Sequence, residues 1–139
     1  MNKKIIVILC IVVVLIVGLT GMSNSGMDKT VISQTIFVDA VYKPENNVVS
    51  ITYTDNSNMT KLVTLEILGM EKTFHKEFEL TNSSFSQLVP IDNVPKYGWK
   101  TTPVTLEITY DEFNIIKMKT EIHDENQPSP EIIFGLMIN

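Results

Sequence analysis

Between residues 31 and 124 apolar and polar side chains alternate with a period of two, and few patterns limit a fold more narrowly. Val49, Ile51 and Tyr53 alternate with Ser50, Thr52 and Thr54, and Val63, Leu65 and Ile67 with Thr64 and Glu66. Val104, Leu106, Ile108 and Tyr110 alternate with Thr105, Glu107 and Thr109, and Ile116, Met118 and Ile122 answer them across the next turn. Successive side chains of a strand point to opposite faces, so each segment offers one face to a core and one to solvent. No window of this region repeats apolar residues at three and four, and no long helix is expected in it.

Turn chemistry divides the alternation into seven expected strands. Residues 43–47 (KPENN) end a first strand at 32–42, with Pro44 presetting φ and the asparagines tolerating left-handed backbone. Residues 55–58 (DNSN) end the second, and Gly69 marks a hairpin between 62–68 and 72–80. Residues 81–84 (TNSS) lead into 85–89, and 111–114 (DEFN) join the last two strands with Asn114 as the natural left-handed position. Within 72–80, Lys76 shares a side with Phe74, Phe78 and Leu80. An inward-pointing lysine blocks edge-to-edge pairing, so this strand is expected at a sheet edge.

Ahead of this region, residues 5–19 (IIVILCIVVVLIVGL) form an unbroken apolar run behind Lys3 and Lys4. A positive flank before an apolar segment is what export machinery reads, with the lysines staying inside. Residues 1–22 are therefore expected to be a transmembrane or signal helix, with 5–22 in the membrane and the C-terminal part outside. Cleavage near Ser23 or Ser25 would instead release a secreted protein. Residues 23–30 read as a flexible stalk, 31–124 as one all-β domain, and 125–139 as a Pro-containing linker with an apolar tail. Beyond the apolar run the chain carries nine lysines against sixteen acids, 9 − 16 = −7, and no arginine. That balance repels nucleic acid, which is excluded as a partner. Cys10, the only cysteine, lies in the apolar run, so the domain stands on packing without a disulfide.

Seven short strands joined by hairpin turns behind a membrane segment resemble a seven-stranded antiparallel immunoglobulin-like or fibronectin-type-III-like β-sandwich over about residues 30–124. Short stalked sandwiches of this kind resemble membrane-anchored envelope proteins of archaea and bacteria. The resemblance implies adhesion, assembly or scaffolding at the cell surface, with a protein partner or self-assembly.

The residue types that carry chemistry are sparse. Blue-copper chemistry needs a cysteine with two histidines, and the domain has no cysteine. A softer copper site from His75, His123, Met70 and Met118 is the remaining metal candidate, set against Met118 on the apolar side of its strand and the histidines on segments not expected to pair. His75 falls on the polar side beside Glu77 and Glu79, and no G-x-S-x-G, H-E-x-x-H or glycine-rich phosphate loop is present. The chain is thus expected not to be an enzyme and to need no cofactor. The 55–58 loop and Asp124-Glu-Asn126 offer oxygens to calcium, although turn-forming Asx residues account for both. Asn58 and Asn82 head glycosylation triplets, two being about what chance supplies here.

Two surface features carry more functional content. Tyr97-Gly98-Trp99 reads either as a partner anchor or as a lid over the sandwich end. After Pro128-Ser-Pro130, residues 132–138 (IIFGLMI), including Ile132, Ile133, Phe134 and Leu136, are too short to span a membrane. They either dock along their own domain or add a strand to a neighbour's edge. The expected function is a non-catalytic surface interaction or structural module. A pilin-like assembly subunit and a metal- or ligand-binding accessory protein of a membrane complex are the competing readings.

Overall fold

The computed structural model describes residues 29–111 and 114–138. The apolar run at 5–19 with Cys10, and residues 23–28 of the expected stalk, lie outside the described residues. Among the described residues no helix is long and apolar enough to cross a membrane.

The described chain begins with a seven-residue helix, α1 (Lys29–Thr35), followed by β1 (Ile36–Lys43), β2 (Val48–Asp55), β3 (Thr60–Ile67), β4 (Phe74–Glu79) and β5 (Ser84–Pro90). A 3-10 turn, Trp99–Thr101, precedes β6 (Val104–Tyr110), β7 (Asn114–Thr120), β8 (His123–Asp124) and β9 (Ile133–Ile138). The strands form two sheets, one of four in the order β5-β2-β1-β8 and one of five in the order β4-β3-β6-β7-β9. Every pairing is antiparallel except β1 with β8, where Val41 faces His123 and Tyr42 faces Asp124. The alternation maps onto this directly: Val49, Ile51, Val63, Leu65, Ile67, Val104 and Ile108 are inaccessible to solvent, and their neighbours face outward. The all-β expectation holds in this form, two antiparallel-rich sheets enclosing one core.

Three expectations need correction. The first strand was expected over 32–42, but its opening residues belong to α1. There the Ser33 hydroxyl donates to the Thr30 carbonyl at 2.9 Å and the Thr35 hydroxyl to the Val31 carbonyl at 2.7 Å, while Ile32 is buried against the core. Local β-branched propensity yields to tertiary packing at this point. Among the described residues there are nine strands rather than seven, because the two-residue β8 and the tail strand β9 join the sheets after β7. At the turn after β6 the left-handed position among the described residues is Asp111, with φ 53°, and not Asn114, which opens β7 and donates its backbone N–H to Asp111 Oδ1. The other turns follow their chemistry, with Asn47, Asn58, Ser83 and Gly69 at positive φ.

Among the described residues β4 pairs only with β3 and is an edge, as Lys76 implies. Lys76 Nζ reaches 2.8 Å from Gln87 Oε1 on β5 and lies 5.1 Å from the Phe78 ring. Phe78 stacks on Phe85 at 4.0 Å, and Phe85 in turn on Tyr53 at 5.2 Å. The two sheets are thus closed along this side by aromatic rings, with the ammonium at the rim.

The strand directions define two ends. α1, the β2–β3 turn and the 111–114 turn lie at one end, called here the helix end. The β1–β2 turn, the β3–β4 turn, the long β5–β6 connection and the 121–132 segment lie at the other. The tail docks on its own domain: β9 pairs with β7 from Lys119 opposite Ile133 to Asn114 opposite Ile138.

Candidate functional site

At the end away from α1, residues 69–74 and 89–96 bound a half-open groove of about 580 Å³. Its position follows from Gly69. With φ 79°, the residue turns the β3–β4 connection so closely over the β5–β6 connection that a Cβ there would sit 2.1 Å from the Thr101 carbonyl oxygen. Leu68 N–H donating to the Pro103 carbonyl at 3.1 Å ties the same two segments. Met70, Phe74, Ile91, Val94 and Trp99 supply apolar lining, and Glu71, Lys72, Asp92 and Lys96 give it two charges of each sign. Thr102, fully buried at the floor, has a hydroxyl with no hydrogen-bond partner among the described residues. The volume falls in the range of small-ligand sites, about 300–1,000 Å³.

The aromatic loop divides its labour. Trp99 is half-buried, packs on Tyr42 with ring centroids 4.9 Å apart, directs its Nε1–H to Asp124 Oδ1 at 3.4 Å, and forms part of the groove wall. Tyr97 is 79 % exposed, with Lys96 Nζ 5.6 Å from its ring as its close cation.

Next to this wall, β8 brings His123 into the interior at 6 % exposure. Its Nε2 lies 2.7 Å from Asp39 Oδ1 and its Nδ1 2.9 Å from the Asp124 carbonyl oxygen. The Ser129 hydroxyl donates to the same Asp39 oxygen at 3.2 Å. Burial alone would depress this imidazolium, but the Asp39 carboxylate and the backbone of Asp124 and Gln127 outweigh it and raise His123 above the ordinary histidine value.

The four residues of the metal candidate are not brought together. His75 is on the exposed face of β4, 2.8 Å from Glu66, whereas His123 belongs to the other sheet. Met118 is in the core, and Met70 lines the groove. Asn58 and Asn82 are exposed in turns, and the Thr60 hydroxyl of the first triplet is buried against Asp55. In the tail, Ile133 is 61 % exposed, Ile132 and Phe134 pack partly against the core, and Leu136 pairs with Ile116 through the backbone.

Sequence reasoning missed the polar cluster at the helix end. Asp55, 2 % exposed, accepts from the backbone N–H groups of Ser57, Met59 and Thr60 at 2.8, 3.0 and 2.9 Å, and from the Ser57 and Thr60 hydroxyls at 2.6 and 2.8 Å. Tyr53 from one sheet joins Thr60 at 2.7 Å, and Tyr110 from the other joins Ser57 at 2.7 Å. Burial would raise the Asp55 carboxyl, yet the donors from Ser57 and Thr60 hold it below the usual carboxylate range. Burial also pushes the Tyr53 phenol well above its ordinary value. With both carboxylate oxygens engaged, the loop functions as a turn closing both sheets. The sequence signals were an acid at the end of an apolar strand and the turn-forming Asx residues of 55–58, both of which a surface turn produces equally well.

No family model, curated protein or solved structure matches the chain.

Proposed function

We propose that this chain is a membrane-tethered, non-catalytic interaction module of the immunoglobulin-like or fibronectin-type-III-like class, which presents the groove beside Trp99 to an apolar segment of a surface partner. One observation carries the reading: the chain enters the domain through α1 at one end, and the groove opens at the other. If residues 5–22 hold the membrane, the groove faces away from it, where a partner can reach. Lettering the first seven strands A, B, C, C′, E, F and G gives sheets in the orders E-B-A and C′-C-F-G, which supports the sandwich class. Neither histidine lines the groove, and its walls are mostly apolar, which favours recognition over chemistry.

The groove's volume also favours a second reading, a binding site for a small neutral ligand in an accessory protein of a membrane complex. Photo-crosslinking in intact cells separates these readings. A crosslinker at Val94, 52 % exposed on the groove, is expected to yield discrete protein adducts, and one at the equally exposed Leu88 on β5, 56 %, is not. Equal labelling at both sites, or none from Val94, overturns the partner reading. Labelling of a Val94→Cys chain by a membrane-impermeant thiol reagent on intact cells tests the orientation, and failure to label sinks it.

A further inference from the structure

We propose that His123 and Asp39 form a proton-dependent latch that sets the position of Trp99 and thereby regulates the groove, an inference that rests on reading this groove as the binding surface. The geometry supplies the switch. Nε2 faces a carboxylate oxygen of Asp39 on β1, and Nδ1 faces the carbonyl of Asp124 on its own strand. Both partners only accept, so both contacts need a proton on the ring and only the imidazolium can make them together. A neutral ring leaves one nitrogen lone pair pointed at an oxygen less than 3 Å away, and that contact must open.

The consequence reaches the groove because β8 has just two residues and both are employed. His123 is the latch, and Asp124 accepts the Trp99 indole N–H while pairing beside Tyr42, the ring on which Trp99 packs. The Ser129 hydroxyl shares the Asp39 oxygen, so the 121–132 segment is tied down at the same point. The groups facing His123 are the Asp39 carboxylate, the Asp124 carbonyl and the backbone of Gln127. Protonated, the latch holds β8 and the Trp99 wall in place. Deprotonated, it frees the wall to move and changes the shape of the groove.

The chain offers a direct reporter, since Trp99 is its only tryptophan and His75 its only other histidine. The full chain in nanodiscs, carrying His75→Gln so that a single imidazole remains, is titrated by NMR from about pH 5 to pH 9, following the His123 ring and the Trp99 indole N–H together. The two are expected to move with one midpoint above the ordinary histidine value. Asp39→Asn keeps the shape and removes the charge, and is expected to lower both midpoints together by roughly 1 pH unit or more. His123→Gln is expected to abolish the Trp99 transition. A Trp99 signal that stays flat while His123 titrates, or one that persists in His123→Gln, overturns the latch. No ligand enters this experiment, so its failure leaves the groove reading standing, and failure of the Val94 crosslink leaves the latch standing.

Discussion

The two ends of this sandwich are built on opposite principles. At the helix end a buried carboxylate is surrounded by five donors, and two tyrosines from opposite sheets complete the cluster. At the groove end a buried threonine hydroxyl has no partner among the described residues, and a histidine is held between two acceptors. Satisfied buried polar groups lock one arrangement, whereas an orphaned or proton-dependent group leaves a site adjustable. The contrast teaches that the two kinds of polar burial are segregated along the strands: the end where the chain enters is locked by its cluster, and the groove end keeps groups that can rearrange.

The largest expected break in this contrast is Asp55→Ala. Five donors lose their acceptor in a nearly dry site, so unfolding in urea should show a loss of about 3–5 kcal/mol; a loss under about 1 kcal/mol would remove the claim that the cluster locks that end. Next comes Gly69→Ala, which forces a Cβ into the Thr101 carbonyl at a left-handed position. A loss of about 2–3 kcal/mol is expected, together with altered Trp99 emission as the groove reshapes. An unchanged spectrum would separate the glycine from the site. Deleting residues 131–139 removes β9, which pairs with β7 between the two ends. The melting temperature should fall by on the order of 10 °C, given ~4–8 °C per kcal/mol in a domain this size, and by the same amount at every protein concentration. A loss of oligomer with unchanged monomer stability would instead make the tail an assembly strand.

The smallest effects are in pH, and the two ends should give opposite signs. Asp55 has a lowered folded value, so its contribution is complete above the ordinary carboxylate value of 3.8 and disappears as the pH falls through that lowered value. His123 has a raised folded value, so its contribution is complete below the ordinary histidine value of 6.5 and disappears as the pH rises through the raised one. Stability measured against pH should therefore decline on both flanks. Asp55→Asn should flatten the acid flank alone, and His123→Gln the alkaline flank alone; a swap of these assignments would refute the division between the ends.

Much of the architecture was legible because it is local. The faces of β2, β3 and β6 follow from alternation between neighbours, the turns at Asn47, Asn58 and Gly69 from residues that tolerate positive φ, and the edge position of β4 from one lysine among aromatics. The docking of the tail on its own domain was legible as one of two alternatives, since large apolar groups have few other uses in a small domain. The groove was not legible, because it depends on two connections meeting at Gly69 and Thr101, residues far apart in the chain.

What this sequence determines alone is which side chains seek the interior and where the chain can reverse, because those preferences reside in single residues and their immediate neighbours. The tertiary structure decided the rest. It made a helix of a β-branched segment by burying Ile32, turned Asp55 from a surface turn residue into a buried hub, and set His123 against an aspartate 84 positions earlier. Each of these outcomes rests on burial by the packed sheets, and two of them also on a partner from a distant strand, Tyr110 joining the Asp55 loop and Asp39 meeting His123, so none can be read from a residue's immediate neighbours.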